Sequence, residues 1–251
     1  MDLYLFFGAA KFVRLTPNQF QVALCLRLGV LPRWLHPSGR QIDLRCSCSV
    51  TGTTQGRMLT TESFVAHALK CKSFAKYQPA TRHNDLRDAM VAVARSYGFT
   101  VVVEPNFYVY YTSDGRTVRP GGGGASQGPD VQVANRPDIT FAQDGLRCAT
   151  DVAITYPSDD SGRDAALAAQ RKHARHDIAV TRMGDQFIPF VVETYGGRDP
   201  CCKRLVDKLA TVVLPHMRRE FVFQFWSAVS CELARGRAKA VMSAYAAYVA
   251  G

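Results

Sequence analysis

The sequence predicts a mixed α/β fold, in which a helix, three strands, a second helix and a fourth strand follow one another between residues 81 and 198. Three observations predict this order. Apolar residues recur at helical spacing over 84–97, short β-branched segments follow Gly98, and an Ala-rich segment over 162–178 precedes another β-branched run. The predicted element order is therefore αβββαβ.

The first predicted helix covers residues 84–97. Asn84 is the expected N-cap, and Gly98 is the residue expected to end the helix. The apolar residues at helical spacing are Leu86, Met90, Val93 and Ala94.

Three strands are predicted after this helix. Segments 99–104 and 138–141 are short and rich in β-branched or aromatic residues, and segment 146–156 alternates between polar and apolar residues. The second helix is predicted over 162–178, because Ala and other helix formers dominate there. The β-branched run at the end of 186–195 predicts the last strand.

Helices are predicted on both sides of this core. Near the N-terminus, Thr16 and Gln19 form a capping box with Pro17 at the first helical position, and the helix is expected to run through Leu28. Its expected core face consists of Phe20, Ala23, Leu24 and Leu28.

The C-terminal part of the chain is predicted to be helical from Asp199 to its last residue, with breaks at Pro215 and near Gly236. An apolar stripe there is expected to join the core rather than bind a partner. The stripe consists of Leu205, Val206, Leu209, Val212 and Val213, thickened by Phe221, Phe223, Phe225 and Trp226.

Two aspartates in the predicted strands, Asp138 and Asp151, have twelve residues between them. Carboxylates on adjacent strands can share a hard cation, and Mg²⁺ favours a few carboxylates together with substrate phosphate oxygens. That combination is the chemistry of phosphodiester hydrolysis. Taken singly, an Asp after Pro137 often bonds its own backbone at a turn, and an Asp on an edge strand can face solvent. Taken together they predict a Mg²⁺ or Mn²⁺ site, because strand interiors are depleted in Asp.

A second set of possible metal ligands lies in residues 41–80: Cys46, Cys48, His67 and Cys71. His67 and Cys71 lie one turn apart on the same face of a helix, and a Cys-x-Cys segment can direct both sulfurs to one point. Four such ligands suit a tetrahedral structural zinc ion. The alternative is a group of buried reduced cysteines beside a surface histidine.

The chain is strongly basic, with a net charge of +10 over 251 residues. Such a charge favours salt-sensitive binding to DNA or RNA, because basic side chains displace the counterions of phosphates. The alternative for any single cluster is a solvated surface. The basic residues expected at the nucleic acid are Lys70, Lys72, Lys76, Arg82 and Arg136.

No segment approaches the roughly twenty apolar residues that a membrane span requires. Residues 3–10 are too few for a signal peptide, and Asp2 is acidic where such a peptide carries positive charge. The eight cysteines fit a reducing compartment with a metal site better than a disulfide scaffold, because the chain is long enough to bury its own core. We therefore expect an intracellular protein without a membrane partner.

The sequence thus divides into four predicted parts. They are an N-terminal helical segment at 1–40, the zinc motif at 41–80, the αβββαβ core at 81–198 and a C-terminal helical extension at 199–251. A Gly-rich stretch at 112–135 lies between the first two strands of the core, and we interpret it as a flexible loop.

The Arg-Pro-Asp at 136–138, the aspartate at 151 and a lysine on the following helix resemble the restriction-like PD-(D/E)xK nuclease core. The closest likeness is to the variant in site-specific non-LTR retrotransposons, which also place a Cys-x-Cys and a His-x3-Cys zinc motif upstream. The arrangement extends from Cys46 to Lys172, roughly half of the chain. The resemblance implies a nuclear, magnesium-dependent DNA endonuclease with a structural zinc ion, which cuts one strand at a time by attack of water.

The resemblance also implies roles for individual residues. Asp138 and Asp151 would ligate the metal, and Lys172 would contact the scissile phosphate or orient the attacking water. The usual motif lysine lies two residues after the second acid, where this chain has Ala153. Glu104 is either a third ligand, a water-orienting base or a solvated residue at a strand end.

Helical spacing divides the polar residues around Lys172 between two faces. Lys172 and His176 share one face. We expect that face to look toward the metal, because the resemblance places a basic residue there. The other face carries Gln170, His173 and Asp177.

Two other classes of function stay open from the sequence. The first is a nucleic-acid-binding module that keeps this fold without catalysis, which Ala153 favours. The second is an interaction domain whose zinc is structural and whose charge serves RNA. Glu193 is a weaker candidate carboxylate, which could equally bond backbone. The chain carries no recognisable polymerase domain, so a fragment, a stand-alone nuclease and a decayed copy are all compatible with it.

Overall fold

The structure of the protein is a computed structural model. The residues it describes are 15–27, 44–46, 57–59, 61–70, 79–108, 110–111, 117–118, 136–157 and 162–249. The chain divides into two compact units, one formed by 1–89 with 227–251 and the other by 90–226.

The predicted α/β fold class is confirmed, since helices and a mixed sheet alternate along the chain. The helices are α1 (Pro17–Arg27), α2 (Thr61–Lys70), α3 (Pro79–Ser96), α4 (Arg163–Thr181), α5 (Pro200–Ala210) and α6 (Arg218–Val249). The first strands are β1 (Leu44–Cys46), β2 (Arg57–Leu59), β3 (Thr100–Val103), β4 (Tyr110–Tyr111) and β5 (Thr117–Val118). The later strands are β6 (Ile139–Gln143), β7 (Leu146–Thr150), β8 (Val152–Thr155), β9 (Gln186–Phe187) and β10 (Phe190–Glu193).

The second unit is built on a mixed sheet. Strands β3, β6 and β7 form an antiparallel meander, and β9 adds to β7 in parallel. Strand β8 pairs in parallel with β10. Residue faces alternate along a strand, so Val191 packs against α4 while its neighbour Phe190 stacks on Trp226 of α6. Helices therefore cover both faces of the sheet.

The strand predicted over 146–156 is interrupted at Asp151, while its pairing register continues unchanged from β7–β9 into β8–β10. Across the interruption, Ile188 and Phe190 donate backbone N–H groups to the carbonyls of Ala149 (2.9 Å) and Asp151 (3.1 Å). Pro189, which lies between them, has no N–H. Only every second residue of a strand bonds the same neighbouring strand, and Pro189 lies between two residues that do. Its missing N–H therefore costs no hydrogen bond to the segment that contains Asp151. Each of the two paired strands is thus divided in two, one into β7 and β8 and the other into β9 and β10.

Helix α3 contains the residues predicted for it but begins earlier. It starts at Pro79, a favourable first helical residue, so Asn84 lies inside the helix and the prediction that it is the N-cap was wrong. The end is as predicted: Gly98 has φ +90°, and the N–H of Phe99 bonds the carbonyl of Ala94 at 3.2 Å. The four residues at helical spacing, Leu86, Met90, Val93 and Ala94, are buried.

Aromatic rings fill the second unit on the side of the sheet away from α4. Phe99 lies between Phe141 and Phe221, with ring centroids at 6.3 and 5.9 Å. Helix α5 packs against β10, and its Asp199 N-cap accepts the N–H of Cys201 at 2.8 Å. Of the predicted stripe, Leu205, Val206, Leu209 and Val213 are buried, as are Phe221 and Phe225, whereas Phe223 is exposed.

The first unit contains α1, the β1–β2 hairpin, α2 and parts of α3 and α6. The capping box of α1 is confirmed: the N–H of Thr16 bonds Gln19 Oε1 at 3.0 Å, and the N–H of Gln19 bonds Thr16 Oγ1 at 3.2 Å. Of the predicted core face, Ala23 is buried, Phe20 and Leu24 are exposed, and Leu28 lies outside the described residues. Val22 is also buried, in a cluster that contains Phe64, Ala68, Ala238, Val241 and Ala244.

The predicted break at Pro215 is present, because α5 ends at Ala210 and a 3-10 turn starts at Pro215. The predicted break near Gly236 was wrong, since α6 continues through it. A Cβ at Gly236 would lie 3.3 Å from both Cγ and Cδ of Arg82. The glycine therefore serves the close approach of a side chain rather than the end of a helix.

Of the predicted loop at 112–135, only β5 lies within the described residues, paired with β4.

We predict that Gly98→Ala lowers the free energy of unfolding by about 1–2 kcal/mol, because an L-residue is strained at positive φ. Gly98→Asn is the matched control and should lose less, since Asn tolerates this region better. Urea unfolding followed by circular dichroism measures both. Equal losses for the two variants would contradict the conformational explanation.

Candidate active site

Asp138 joins three strands at one end of the meander. It directly precedes β6, and its carbonyl accepts the N–H of Glu104, just after β3, at 2.7 Å. Its side-chain Oδ2 accepts the backbone N–H of Val152, at the start of β8, at 2.6 Å. Ile139 and Thr150 form the last β6–β7 pair. The backbone N–H that the Asp138 carboxyl accepts, that of Val152, lies just beyond this pair.

Asp151 lies in the interruption between β7 and β8, and only 5% of it is exposed. Lys172 Nζ on α4 lies 2.7 Å from its Oδ1, and His176 Nε2 lies 2.7 Å from its Oδ2. Lys172 Nζ also lies 3.4 Å from the carbonyl of Val152. The helix face expected to look toward this site, that of Lys172 and His176, is the face that does so.

Small side chains allow α4 to approach the strands this closely. Ala153, at the position where the resembled motif has its lysine, packs on an apolar cluster between β8, β10 and α4. The cluster consists of Ala165, Ala169 and Val191. The amine of Lys172 therefore reaches Asp151 from α4, while Ala153 occupies the strand position of the motif lysine.

The surroundings of Asp151 favour its ionised form. Burial raises the pKa of its carboxyl, but hydrogen bonds with His176 and Asp138 and the charge of Lys172 outweigh burial and hold the pKa below its usual range. His176 is fully buried, and its ring lies 5.1 Å from that of Phe187. Asp151 is thus held by a buried imidazole and an ammonium group, and the Asp138 carboxyl bonds the backbone of the next residue, Val152.

Glu104 and Arg136 lie beside Asp138 at the surface. Arg136 Nη2 lies 2.5 Å from Glu104 Oε2, and both side chains are partly exposed. Glu104 has φ +49°, an unusual conformation that turns the chain directly after β3. Both predicted residues are therefore near Asp138, but they are paired with each other.

Glu193 is not brought to this site. It is paired with Thr155 at the far end of the β8–β10 ladder, and its N–H bonds the carbonyl of Gly197 at 2.7 Å. Its carboxylate packs against Gly197, where any side chain would collide with it.

Two of the four predicted zinc ligands lie outside the described residues. Cys48 and Cys71 are outside them, Cys46 is the last residue of β1, and His67 lies half-buried on α2. Within the described ranges, no group of three or more His, Cys, Asp or Glu is placed to hold a metal ion. The zinc motif therefore stays a prediction.

The predicted basic residues around the zinc motif are also only partly described. Lys72 and Lys76 lie outside the described residues, and Lys70 is the last residue of α2. Arg82 lies on α3, where its Nη2 donates to the carbonyl of Leu69 at 2.7 Å. Arg82 thus helps to hold α2 and α3 together.

Sequence reasoning missed a second buried carboxylate, Asp185, in the turn before β9. Tyr108 Oη donates to its Oδ2 at 2.7 Å, and Arg147 Nε lies 2.8 Å from its Oδ1. Burial, more than any hydrogen bond, raises the pKa of Tyr108. The network fixes the start of β9, next to the Phe187 ring that supports His176. An Asp after a Gly in a turn carries no sequence signal for such a role.

Comparison with known proteins found no matching family model and no match among curated proteins. None of the helices in the described part of the chain is both long enough and apolar enough to cross a membrane.

We predict that Lys172→Met and Asp151→Asn each lower the free energy of unfolding by about 1–3 kcal/mol, because each leaves a buried partner without its counter-charge. The double variant should lose less than the sum, by about 1 kcal/mol or more. Urea unfolding of the four proteins measures this coupling.

The matched control is the exposed pair Lys203 and Asp207, whose Nζ and Oδ2 are 2.5 Å apart. Lys203→Met and Asp207→Asn should show almost no coupling, since water screens an exposed ion pair. Additive losses at Lys172 and Asp151 would contradict a coupled buried network.

Proposed function

We propose that this protein is a magnesium-dependent DNA endonuclease of the restriction-like PD-(D/E)xK type, which hydrolyses one strand at a time. One observation carries the proposal: Lys172 Nζ lies 2.7 Å from Asp151 Oδ1, and Asp138 Oδ2 accepts the backbone N–H of Val152, the residue after Asp151, at 2.6 Å. Two acidic groups and one lysine are the set that this chemistry requires.

The order of elements supports the same proposal. Along the chain, α3 is followed by the antiparallel strands β3, β6 and β7, then by α4 and by β9, which pairs in parallel with β7. The β4–β5 pair lies between β3 and β6, and β8 lies between β7 and α4. Both aspartates lie where regular pairing of the meander stops, at the start of β6 and the end of β7. Functional side chains at strand ends are freer to meet a substrate than those inside a ladder.

The acidic groups fit a magnesium ion. Mg²⁺ is commonly held by one or two carboxylates, with waters and substrate phosphate oxygens completing its shell. Asp138 and Asp151 would hold it. A bound magnesium ion would stabilise negative charge on the phosphate and lower the pKa of a coordinated water.

Lys172 and His176 have separate tasks in this proposal. The ammonium group of Lys172 would contact an oxygen of the scissile phosphate or orient the attacking water, because it is the cation nearest Asp151. His176 is buried and holds the other oxygen of Asp151, so it orients the carboxylate without meeting DNA.

DNA is the proposed partner because the chain is basic and the site-bearing helix is basic on its outer face. Arg171 and Arg175 of α4 are exposed, as is Arg182 directly after the helix. Phosphates bound by these arginines would hold the nucleic acid along α4, the helix that also carries Lys172. Binding of this kind weakens as salt concentration rises.

A specific observation favours a second candidate, a binding module of the same fold without catalysis. Asp138 already bonds the Val152 N–H, and Asp151 bonds both Lys172 and His176. Such a network can be purely structural, because it leaves few polar atoms of the pair in need of a metal.

We predict that magnesium-dependent nicking of supercoiled plasmid falls at least about 100-fold in Asp151→Asn and in Lys172→Met, because charge stabilisation at the phosphate is lost. Binding to the same DNA, measured by fluorescence anisotropy, should change little. Asp144→Asn, an exposed carboxylate in the β6–β7 turn, is the matched control and should nick normally.

The outcomes separate the two candidates. Full nicking by both variants would overturn the assignment of the site. An inactive wild type that still binds DNA, with affinity unchanged by Lys172→Met, would favour the binding module.

A further inference from the structure

A cysteine, a histidine and an aspartate meet between α4 and α5, away from the acidic pair. Cys201 lies in the first turn of α5 and is half-buried. Its Sγ lies 3.8 Å from Nε2 of His173 on α4. Nδ1 of His173 lies 2.9 Å from Oδ1 and 3.1 Å from Oδ2 of Asp177, one turn further along the same helix.

Asp177 decides which nitrogen of His173 carries the proton. A carboxylate accepts hydrogen bonds and donates none, so Nδ1 is the protonated nitrogen that donates to it. In the neutral ring, Nε2 then carries a lone pair and faces the Cys201 thiol. The ring is also fixed by an edge contact with Phe187, at 5.6 Å between centroids. The histidine is therefore oriented as a base toward the sulfur.

The thiol needs such a base. Burial, followed by the neighbouring Asp199 carboxylate, raises the pKa of Cys201 to about 11, against the lowering effect of Arg204. At neutral pH the sulfur is thus protonated and a weak nucleophile. Arg204 Nη2 lies 3.4 Å from Sγ, where its charge stabilises a thiolate as it forms.

We propose that Cys201 is a base-assisted nucleophilic thiol that undergoes thiol–disulfide exchange with low-molecular-weight disulfides that carry carboxylates. His173 acts as the base, Asp177 orients it, and Arg204 attracts the carboxylate of the incoming molecule. This inference does not depend on the proposed nuclease function.

The step balances without any other reactant. Nε2 of His173 takes the thiol proton while Sγ attacks one sulfur of the disulfide. A bond forms between Sγ and that sulfur, and the original S–S bond breaks. The departing thiolate takes the proton from His173 and leaves as a free thiol. The product is a mixed disulfide at Cys201.

The neighbouring Cys202 provides an internal contrast. It is fully buried, and its Sγ donates to the carbonyl of Val191 at 3.0 Å. Burial is the largest cause that raises its pKa to about 12. Cys148 is equally buried, and its pKa is raised to about 12 for the same reason. Both lie in the core, where a disulfide has no access.

The test measures the rate of mixed-disulfide formation on the intact protein with glutathione disulfide, a carboxylate-bearing probe, and with neutral hydroxyethyl disulfide. Mass spectrometry of the peptide 199–203 under non-reducing conditions follows the product. Cys201→Ser should abolish modification of this peptide, which assigns it to Cys201 rather than Cys202. The wild type should react faster with glutathione disulfide, and Arg204→Gln should remove that preference.

Three further variants test the base. His173→Gln should slow the reaction roughly tenfold to a hundredfold, at the low end of general-base effects. Asp177→Asn should slow it less. Asp199→Asn should accelerate it, because the carboxylate that raises the thiol pKa is gone while Asn still caps α5.

Unchanged rates in His173→Gln, with circular dichroism and a thermal midpoint like those of the wild type, would overturn the proposal. If His173→Gln does not fold, Asp177→Asn decides, because that side chain is half-exposed and an unchanged rate there also excludes a base oriented by Asp177. Modification of Cys202 in preference to Cys201 would equally overturn it.

Discussion

The structure of the second unit depends on one buried carboxylate and the groups that neutralise it. Asp151 lies in the interior at the point where β7 gives way to β8, and an ionised group there is costly unless it is paired and hydrogen-bonded. Lys172 and His176, which lie on α4, supply the pairing and the hydrogen bonds. The pairing ties that helix to the interrupted strand, and Asp138 ties the start of β6 to the same point. Any chemistry of the site therefore uses groups that also hold the fold together.

Features of the fold that arise from neighbouring residues were predictable from the sequence. The capping box at Thr16, the glycine that ends α3 and the Asp199 cap each depend on a few consecutive residues. The interruption at Asp151 was not predictable, because the groups that hold Asp151 there, Lys172 and His176, lie on a helix that is remote in sequence. The continuity of α6 through Gly236 was not predictable for a similar reason. Only the folded chain brings the Arg82 side chain over that glycine.

In the candidate site too, features within one element were predictable and contacts between elements were not. Helical spacing was enough to place Lys172 and His176 on one face, since that is a property of one helix. The partners of each face belong to other elements, so the bond between His176 and Asp151 and the approach of His173 to Cys201 had no sequence signal. Ala153 is the instructive case. The absence of the motif lysine at this position weakens the resemblance. The small alanine side chain, however, is what lets α4 bring Lys172 to Asp151.

The most direct test of the account is whether the acidic pair holds a divalent cation. Electron paramagnetic resonance titration with Mn²⁺ measures this without DNA, on the wild type, on Asp138→Asn, which keeps an acceptor for the Val152 N–H, and on Asp144→Asn as control. We expect saturable Mn²⁺ binding that Mg²⁺ displaces, and binding weakened at least about tenfold in Asp138→Asn only, because a ligating charge is lost. Equal binding by all three proteins, or no binding by the wild type, would contradict it.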